Sequence, residues 1–578
     1  MSDQAQSAFT TALEETLNHF REPLWLGEHS PFASPYFLGQ ALPAQATSSS
    51  ERGEILRQVL LELLNKLDGK NAEYYRRLLW LYFVDGIPPG KLLEILAIGR
   101  TKLSEDRRRA LTLLAEQLIQ FAHPALRLET VPKISSWVAR DEAMESCVSL
   151  LLQQKSVALV GGAGVGKTTL AAKIADELRY IRKTPCFWYT IRPNLNDQVE
   201  SFAFAFGLFA KQLGVPSLWL ELTATHGKAA SELKREKVLE LVRYVLDKLH
   251  PAPLLCIDEI DLLDTCVEAK ALVGFIESLR AWTPMLLIGQ SVPMFYDHVE
   301  TLEGLDEDSF VDLLEDQPLT LSASQQQQLF RITQGNPRLA LLFCNTIKAG
   351  EIIDDLLAAF RKAPLLETLF DRILQRLTQA ELNLLLEIAI FRLPAPIQHW
   401  QQAETNHLLA TLLSKQLLRS DEQDGVEVPA VYRSILLQRL NTAQKQIFHQ
   451  QAAIICSSYA LYTETAYHLF QTERLNEGFL LWNEYKQLEI DQGQAVVALR
   501  LFRSLDSGQL KPDVRQEFQL ACGNLEFLTG RTPQALADVE PLLQKTSLVA
   551  IRANELAGRI HNDQDEFELP VTILMKFD

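Results

Sequence analysis

The sequence predicts a multidomain, mainly α-helical fold with one α/β core, a parallel sheet with covering helices, and an α-solenoid at the C-terminus. Three observations lead to this class. The chain has 578 residues, and a domain takes roughly 150, which suggests about four units. Between positions 136 and 295, short apolar runs alternate with amphipathic helical text: 156–160 (SVALV), 186–190 (CFWYT), 253–257 (PLLCI) and 285–289 (MLLIG). Such alternation marks parallel strands joined by crossover helices. Elsewhere apolar residues recur three and four apart, as in Ile55, Val59, Leu60, Leu63, Leu64 and Leu67, and strand-like text nearly disappears after Leu302.

Composition narrows the function classes. The formal charge is −17 with 47% hydrophobic and 22% charged residues, which is globular and excludes a disordered or fibrous chain. The acidity opposes wholesale coating of nucleic acid but leaves room for a local basic patch. No apolar run approaches the roughly 18 residues needed to cross a bilayer, and MSDQAQSAFTTALEETL lacks the basic-then-apolar layout of a secretory leader. The cysteines (Cys147, Cys186, Cys256, Cys266, Cys344, Cys456 and Cys522) are scattered, with no CxxC pair. Buried reduced thiols in a cytoplasmic protein fit that pattern, and a zinc or disulfide framework does not.

Punctuation divides the chain. Pro23, Pro31, Pro35 and Pro43 break up residues 1–45, and 46–50 (ATSSS) reads as a connection. Helical text runs over 54–121, and Pro124 and Pro132 mark a second connection. Within 417–428, Asp424-Gly425 separates two short strand-like pieces and predicts a hairpin.

The strongest chemical signal is Gly161-Gly162-Ala163-Gly164-Val165-Gly166-Lys167-Thr168-Thr169. It follows an apolar strand and opens a helix, the context that the GxxxxGK[ST] phosphate loop requires. Glycines let backbone N–H groups converge on one anion, where side chains would block both the dihedrals and the approach. Lys167 would reach the β and γ phosphates, Thr168 would offer its hydroxyl to Mg²⁺, and the positive helix end adds attraction. A second apolar strand ends in Asp258-Glu259. Asp258 would hold Mg²⁺ through water, and Glu259 would polarise an attacking water. Asp261 reads instead as the N-cap of the helix that follows. Gln290 and Ser291, after the run 285–289, are candidates to sense the γ-phosphate from a neighbouring strand end.

Several residues together resemble the STAND class of regulatory ATPases, which includes NB-ARC and NACHT switch proteins. Trp137-Val138-Ala139-Arg140-Asp141-Glu142 is similar to that family's lead-in motif, where the chain wraps the adenine; Ala139 replaces the usual glycine. Gln334-Gly335-Asn336-Pro337-Arg338-Leu339-Ala340-Leu341 is similar to the GxP segment. By that resemblance Val138, Arg140 and Pro337 are nucleotide contacts, and residues 365–440 are a winged helix with Asp424-Gly425 as its wing. The resemblance implies ATP or ADP with Mg²⁺, adenine over guanine, and slow hydrolysis. Two departures stand out. The family's sensor-strand arginine is replaced near Ser291, and its winged-helix histidine falls near Pro429. The resemblance therefore does not extend to an ADP lock made by that histidine.

The flanks resemble two further families. Residues 72–117 look like sigma-factor region 4, a helix-turn-helix with a turn at Asp85-Gly86 and a third helix from about Thr101. Lys102, Arg107, Arg108 and Arg109 are its candidate phosphate contacts on DNA. Leu93 and Ala97 stand where that motif keeps a small residue and a glycine. Residues 443–578 resemble tetratricopeptide-like repeats. Gly523 and Ala535, and Ala466 and Gly478, are each 12 apart, and Gly558 follows Gly523 by 35, close to that repeat's period of about 34.

The implied order is an N-terminal effector or adaptor (1–122), a P-loop core (133–298), a helical lid (299–364), the winged helix (365–442) and a repeat sensor (443–578). As a whole it reads as an ATP-driven switch, with a ligand or protein on the repeats as partner and a nucleotide-dependent homo-oligomer as output, away from membranes. Two alternatives stay open: an ATP-controlled DNA-binding transcription regulator, and a scaffold that holds nucleotide without turnover.

Overall fold

The computed structural model describes residues 2–34, 37–38, 41, 48–68, 71–121, 128–134, 137–138, 140–224, 235–265, 269–362, 366–401, 405–420, 425–544 and 547–563. Ala139, Cys266, the turn residue Asp424, residues 46 and 47 of the expected connection and the tail from 564 lie outside them; residues 48–50 of that connection are instead the N-cap and first turn of a helix, which Ser48 starts by accepting from Glu51 N. No described helix is long and apolar enough to cross a membrane.

The chain opens with α1 (Ser2–Asn18), α2 (Pro23–His29) and α3 (Ser49–Asn65). Ser48 starts α3 through a reciprocal capping box with Glu51. Helices α2 and α3 cross backbone to backbone because glycines lie at the contact. A Cβ on Gly27 would fall 1.7 Å from the Ser49 carbonyl oxygen, and one on Gly53 1.8 Å from that of Pro23. Next come α4 (Ala72–Leu79), a π-helical turn at Trp80–Val84, α5 (Pro89–Leu96) and α6 (Arg100–Phe121). Ala97 ends α5 at φ 51°, so the position where glycine is usual is left-handed here despite its side chain, at a cost of about 1 kcal/mol.

The α/β core follows as α7 (Asp141–Leu152), β1 (Val157–Gly161), α8 (Lys167–Arg182), β2 (Cys186–Thr190), α9 (Val199–Gln212), α10 (Ser217–Ala224), α11 (Arg235–Lys248), β3 (Leu254–Asp258), α12 (Ala269–Glu277), β4 (Met285–Gly289) and β5 (His298–Leu302). The five strands are parallel in the order β2-β3-β4-β1-β5. Alternate residues of the inner strands, Val157 and Leu159, Leu254 and Cys256, Leu286 and Ile288, meet Leu151 of α7 and Leu170, Ile174 and Leu178 of α8 in one buried layer. The four apolar runs are β1 to β4. Sequence periodicity misses β5, because HVETL buries only Leu302 and alternates as an edge strand does.

After β5 come α13 (Glu307–Glu315), α14 (Ala323–Thr333), α15 (Pro337–Lys348) and α16 (Ile353–Lys362), the helices of the stretch expected to be a lid, followed by α17 (Leu366–Arg376). Then α18 (Gln379–Ala389), β6 (Ala395–Pro396), α19 (Asn406–Ser414), β7 (Arg419–Ser420), β8 (Gly425–Glu427) and α20 (Ala430–Arg439) give the helix, strand, helix and hairpin of a winged helix. Its antiparallel order is β6-β8-β7, with Arg419 opposite Glu427. The hairpin is where Gly425 led; β6 is two residues long and leaves no pattern. A long α21 (Thr442–Ser458) leads to α22 (Tyr462–Phe470), α23 (Leu475–Asp491), α24 (Ala495–Arg503), α25 (Pro512–Leu528), α26 (Thr532–Leu543) and α27 (Leu548–Asp563), which pack in consecutive pairs as an α-solenoid.

Two compact units emerge. One comprises 129–198 and 246–455, which holds the sheet, α13 to α16 and the winged helix. The other comprises 1–128, 199–245 and 456–578. Much of the stretch between β2 and β3 thus groups with the two ends of the chain, although it lies inside the expected core 133–298. There Trp219 of α10 is fully buried and stacks on Phe37, with ring centroids 5.4 Å apart. Phe204 of α9 packs on the turn at Gly493, and Glu200 accepts a hydrogen bond from Val496 N at 3.3 Å, at the start of α24.

Small residues in the solenoid divide into two kinds. A Cβ on Gly523 would lie 2.8 Å from Val539 Cγ1 and 3.3 Å from the Ala535 carbonyl, so the Gly523/Ala535 offset does mark a helix crossing. Gly558 faces open space, so its spacing from Gly523 does not mark a second one. Gly523→Ala is therefore expected to destabilise the protein by about 1–3 kcal/mol. Gly558→Ala should be neutral or stabilise it by up to about 1 kcal/mol. Denaturant unfolding midpoints of the two variants test the contrast, and equal midpoints would refute the crossing.

Candidate functional site

Strand β1 runs out at Gly161 and α8 begins at Lys167, so the phosphate loop is the bare link between them. Gly161 is pressed against β5: a Cβ there would sit 2.3 Å from the Leu302 carbonyl oxygen. Gly164 and Gly166 take φ of 81° and 99°, a region that favours glycine. Val165 is buried and anchors the loop from below. The other side is open. An added Cβ would meet nothing within 4 Å at Gly166 and only Val165 Cγ1 at 3.9 Å on Gly162. That leaves room for an anion above the unpaired N–H groups that begin α8, including those of Thr168 and Thr169.

Two side chains close this cradle. Lys167 Nζ donates to the carbonyls of Gly161 (2.9 Å) and Gly162 (3.0 Å), holding its charge over the loop. Burial lowers its pKa, and the charges of Glu259, Asp261 and Asp258 oppose that. The Thr168 hydroxyl donates to Asp258 Oδ2 at 3.1 Å. These two residues come from α8 and β3, and the sheet order with β4 between β3 and β1 brings them together. Thr168 and Asp258 fit a Mg²⁺ ion that takes its remaining oxygens from phosphate and water.

Asp258 is buried, and burial first, then the charge of Glu259, pushes its pKa up to about 7. Hydrogen bonds from Glu259 N (2.9 Å) and Thr168, and the charge of Arg419, act the other way. Glu259 sits at φ 55°, a left-handed turn that costs a non-glycine residue about 1–2 kcal/mol. This turn aims its N–H back at Asp258 while its own carboxylate stays exposed.

Asp261 departs from the expected N-cap. It lies in a 3₁₀ turn, Ile260–Thr265, and its Oδ1 accepts from Gln290 N at 3.0 Å. The acid pins the end of β3 to the end of β4. Gln290 and Ser291 are exposed there, at the same edge of the sheet as Asp258.

Segments before the sheet and after it both touch the loop. Arg140 donates to the carbonyls of Val165 (3.1 Å) and Glu303 (2.8 Å), and Val138 is half-buried nearby in sequence. Pro337 is the first residue of α15, capped by Asn336, whose Oδ1 accepts from Arg338 N and Leu339 N. Asn336 Nδ2 also donates to the Ala163 carbonyl at 3.0 Å. Sequence reasoning misses Asn336 and Arg338, although both flank Pro337. Arg338 runs so close that its Cβ would lie 2.9 Å from a Cβ on Gly164. Its guanidinium lies 5.7 Å from the ring centroid of Tyr432 on α20.

In the other unit, Lys102, Arg108 and Arg109 are exposed on α6. Arg107 is not available in the same way. It pairs with Glu14 at 3.0 Å and donates to the Tyr82 hydroxyl at 2.7 Å, so it braces α6 against α1.

Residues 151–292 match the family model described as an AAA domain. No curated protein matches the chain in sequence. Among solved structures it is similar to a signal transduction ATPase with numerous domains (STAND) protein with a tetratricopeptide repeat sensor from Pyrococcus horikoshii. Identity is 16% and the TM-score 0.58, over 78% of this chain and 65% of that one; the chain thus spans 65% of that relative's length. Weaker similarities are to a Walker-type ATPase of Pyrococcus abyssi (TM-score 0.31, 15% identity, 54% of this chain and 99% of that one) and to the Aeropyrum pernix ORC1 protein in complex with DNA (0.28, 12%, 53% and 93%). The likeness to the STAND class holds at the level of fold, and the AAA match marks 151–292 as a P-loop ATPase domain.

The Asp258 shift has a sign that can be measured. The group is raised in the folded state, so its contribution to stability falls as pH climbs from about 4 to about 7. Asp258→Asn should therefore stabilise the nucleotide-free protein by roughly 2–4 kcal/mol at pH 8 and by clearly less at pH 5. Calorimetric midpoints at the two pH values check this, and an equal gain at both contradicts a shifted Asp258.

Proposed function

We propose that the chain is an ATP-binding, slowly hydrolysing switch of the STAND type. The observation that carries this reading is the Thr168–Asp258 contact across the open phosphate loop. In this reading the loop amides of 161–169 and Lys167 bind the phosphates, and Thr168 and Asp258 hold Mg²⁺, with Asp258 giving up its proton to do so. Bound Mg²⁺ supplies neutralising charge at the phosphate oxygens. Glu259, strained and exposed beside Asp258, takes the proton of an attacking water. Val138, Arg140 and Pro337 flank the adenine, and Gln290 and Ser291 report on the γ-phosphate.

The lid contact of Asn336 with Ala163 supports a coupling between nucleotide and domain arrangement, since whatever fills the loop is felt directly by α15. A shift of the closed-to-open ratio from 99:1 to 1:99 requires about 5.5 kcal/mol of differential binding. Contacts to the γ-phosphate are the source we assign. The repeats receive a ligand or protein, opening permits a homo-oligomer, and the cytoplasm is the setting. A scaffold without turnover is the outcome if phosphate release is absent.

A second reading has its own observation. The exposed cations of α6, Lys102, Arg108 and Arg109, stand on a helix that follows a short α5 and a tight turn. This favours duplex DNA as a partner, under control of the same ATPase.

Lys167→Ala should weaken ATP and ADP binding by 100-fold or more, on the order of 3 kcal/mol. Glu259→Gln should keep ATP binding and lose at least about tenfold in phosphate release. Equilibrium titration with a fluorescent nucleotide and a phosphate-release assay separate the two. Unchanged affinity in the lysine variant sinks the whole reading.

For the second reading, a DNA mobility shift should weaken as salt rises. Changing Lys102, Arg108 and Arg109 together to Ala should abolish it, whereas Arg107→Ala should act through stability. No shift at low salt removes DNA as the partner.

A further inference from the structure

Beyond β2 the chain leaves the sheet through Ile191 and Arg192, alongside β3. Ile191 N donates to the Asp258 carbonyl at 2.9 Å, so this exit is fixed beside the candidate site. There Arg192 stands between two carboxylates from distant parts of the sequence. Glu129, in the segment that leads into the core, accepts from Thr190 N through Oε2 at 2.8 Å and pairs with Arg192 through Oε1. Glu427, on β8 of the winged helix, lies 3.6 Å from the other terminal nitrogen. The backbone of Arg192 is fixed as well. Its N donates to Asn196 Oδ1 at 2.6 Å, and Asn196 Nδ2 returns a bond to the Thr190 carbonyl at 2.8 Å.

The two arms are unequal. Glu129 is held by a second, backbone bond in addition to its pairing with Arg192. Glu427 makes one contact, and its side chain is 36% exposed against 18% for Arg192. A buried guanidinium stripped of every carboxylate would be strongly unfavourable. Arg192 avoids that state, because Glu129 stays with it when Glu427 leaves. Planar guanidinium geometry suits this sharing, since its two terminal nitrogens can serve two acids at once.

We propose that Arg192 is a clasp that holds the winged helix on the core, with Glu129 as its permanent half and Glu427 as the half that opens. The clasp goes beyond the nucleotide reading and does not depend on it. It has a consequence for the site all the same. Arg419, opposite Glu427 in the strand register, lends positive charge to Asp258, so a docked wing belongs electrically to the site and a released wing does not.

Amide hydrogen exchange on the full-length, nucleotide-free protein tests the clasp. Glu427→Gln should speed exchange in 425–427 and 430–439 by about tenfold and leave β1 and β3 within twofold of the wild type. Raising salt from about 0.1 to about 1 M should speed the same wild-type segments and add little in Glu427→Gln, since the screened interaction is already gone. The proposal is overturned if the variant leaves the wing within twofold of the wild type, or if β1 and β3 loosen by the same factor. Because no nucleotide is present, these results stand apart from those of Lys167→Ala.

Discussion

A hydroxyl and a carboxylate separated by 90 positions in the chain must meet for this site to exist. Thr168 begins the helix after β1, and Asp258 closes β3; their 3.1 Å contact fixes what the rest of the core can be. The strands must be parallel, so that their C-terminal ends share one edge. With β4 between β1 and β3, Gln290 and Ser291 are brought to that same edge. The chain has to leave β1 through residues with no side chains, because β5 lies too close to Gly161 for a Cβ. It has to enter α8 with its first amides unpaired. Asp258 itself is kept from full ionisation by burial, which makes the contact with a neutralising partner favourable and its absence unfavourable.

Local signals carried most of this into the sequence. The glycine run, the four apolar strands and the two acids after β3 are each contiguous, and each has a physical reason that acts over a few residues. Pairings across long distances left no trace. Arg338 and Tyr432 are nearly a hundred positions apart, and nothing in either neighbourhood announces the other. Asp261 illustrates the limit: an acid after a strand fits an N-cap, yet tertiary packing gave it Gln290 N instead. Arg107 is similar, since a run of three arginines looks uniform in sequence while one of them faces Glu14 and Tyr82. Strands β5 and β6 were illegible because one is an edge and the other two residues long. Gly523 and Gly558 look alike in spacing, and only packing shows that one is needed and the other is not.

Grouping of 199–245 with the two chain ends was also beyond sequence reading. The signal for it is shape. Phe204 needs a neighbour without a side chain, which Gly493 supplies at φ 78°. Trp219 needs a flat apolar partner, which Phe37 supplies. The consequence is covalent: the chain passes between the two units at 128/129, 198/199, 245/246 and 455/456. The last two passages fall within α11 and α21, which are continuous helices.

The charged contact at the wing has a physical rationale. A buried ion pair is seldom more stabilising than a well-packed apolar pair of the same volume, because desolvation offsets most of the Coulomb gain. Its advantage lies in how it breaks. An apolar interface loosens in proportion to the area exposed, whereas an ion pair with a spare acid can exchange one partner for water at small cost. Arg192 has that spare acid in Glu129, which is bonded twice. The winged helix can thus be held by a specific contact and released without leaving an orphaned charge in the core. The contact sits one residue past the backbone bond to Asp258, so the place where the wing lets go is also the place where the candidate site ends.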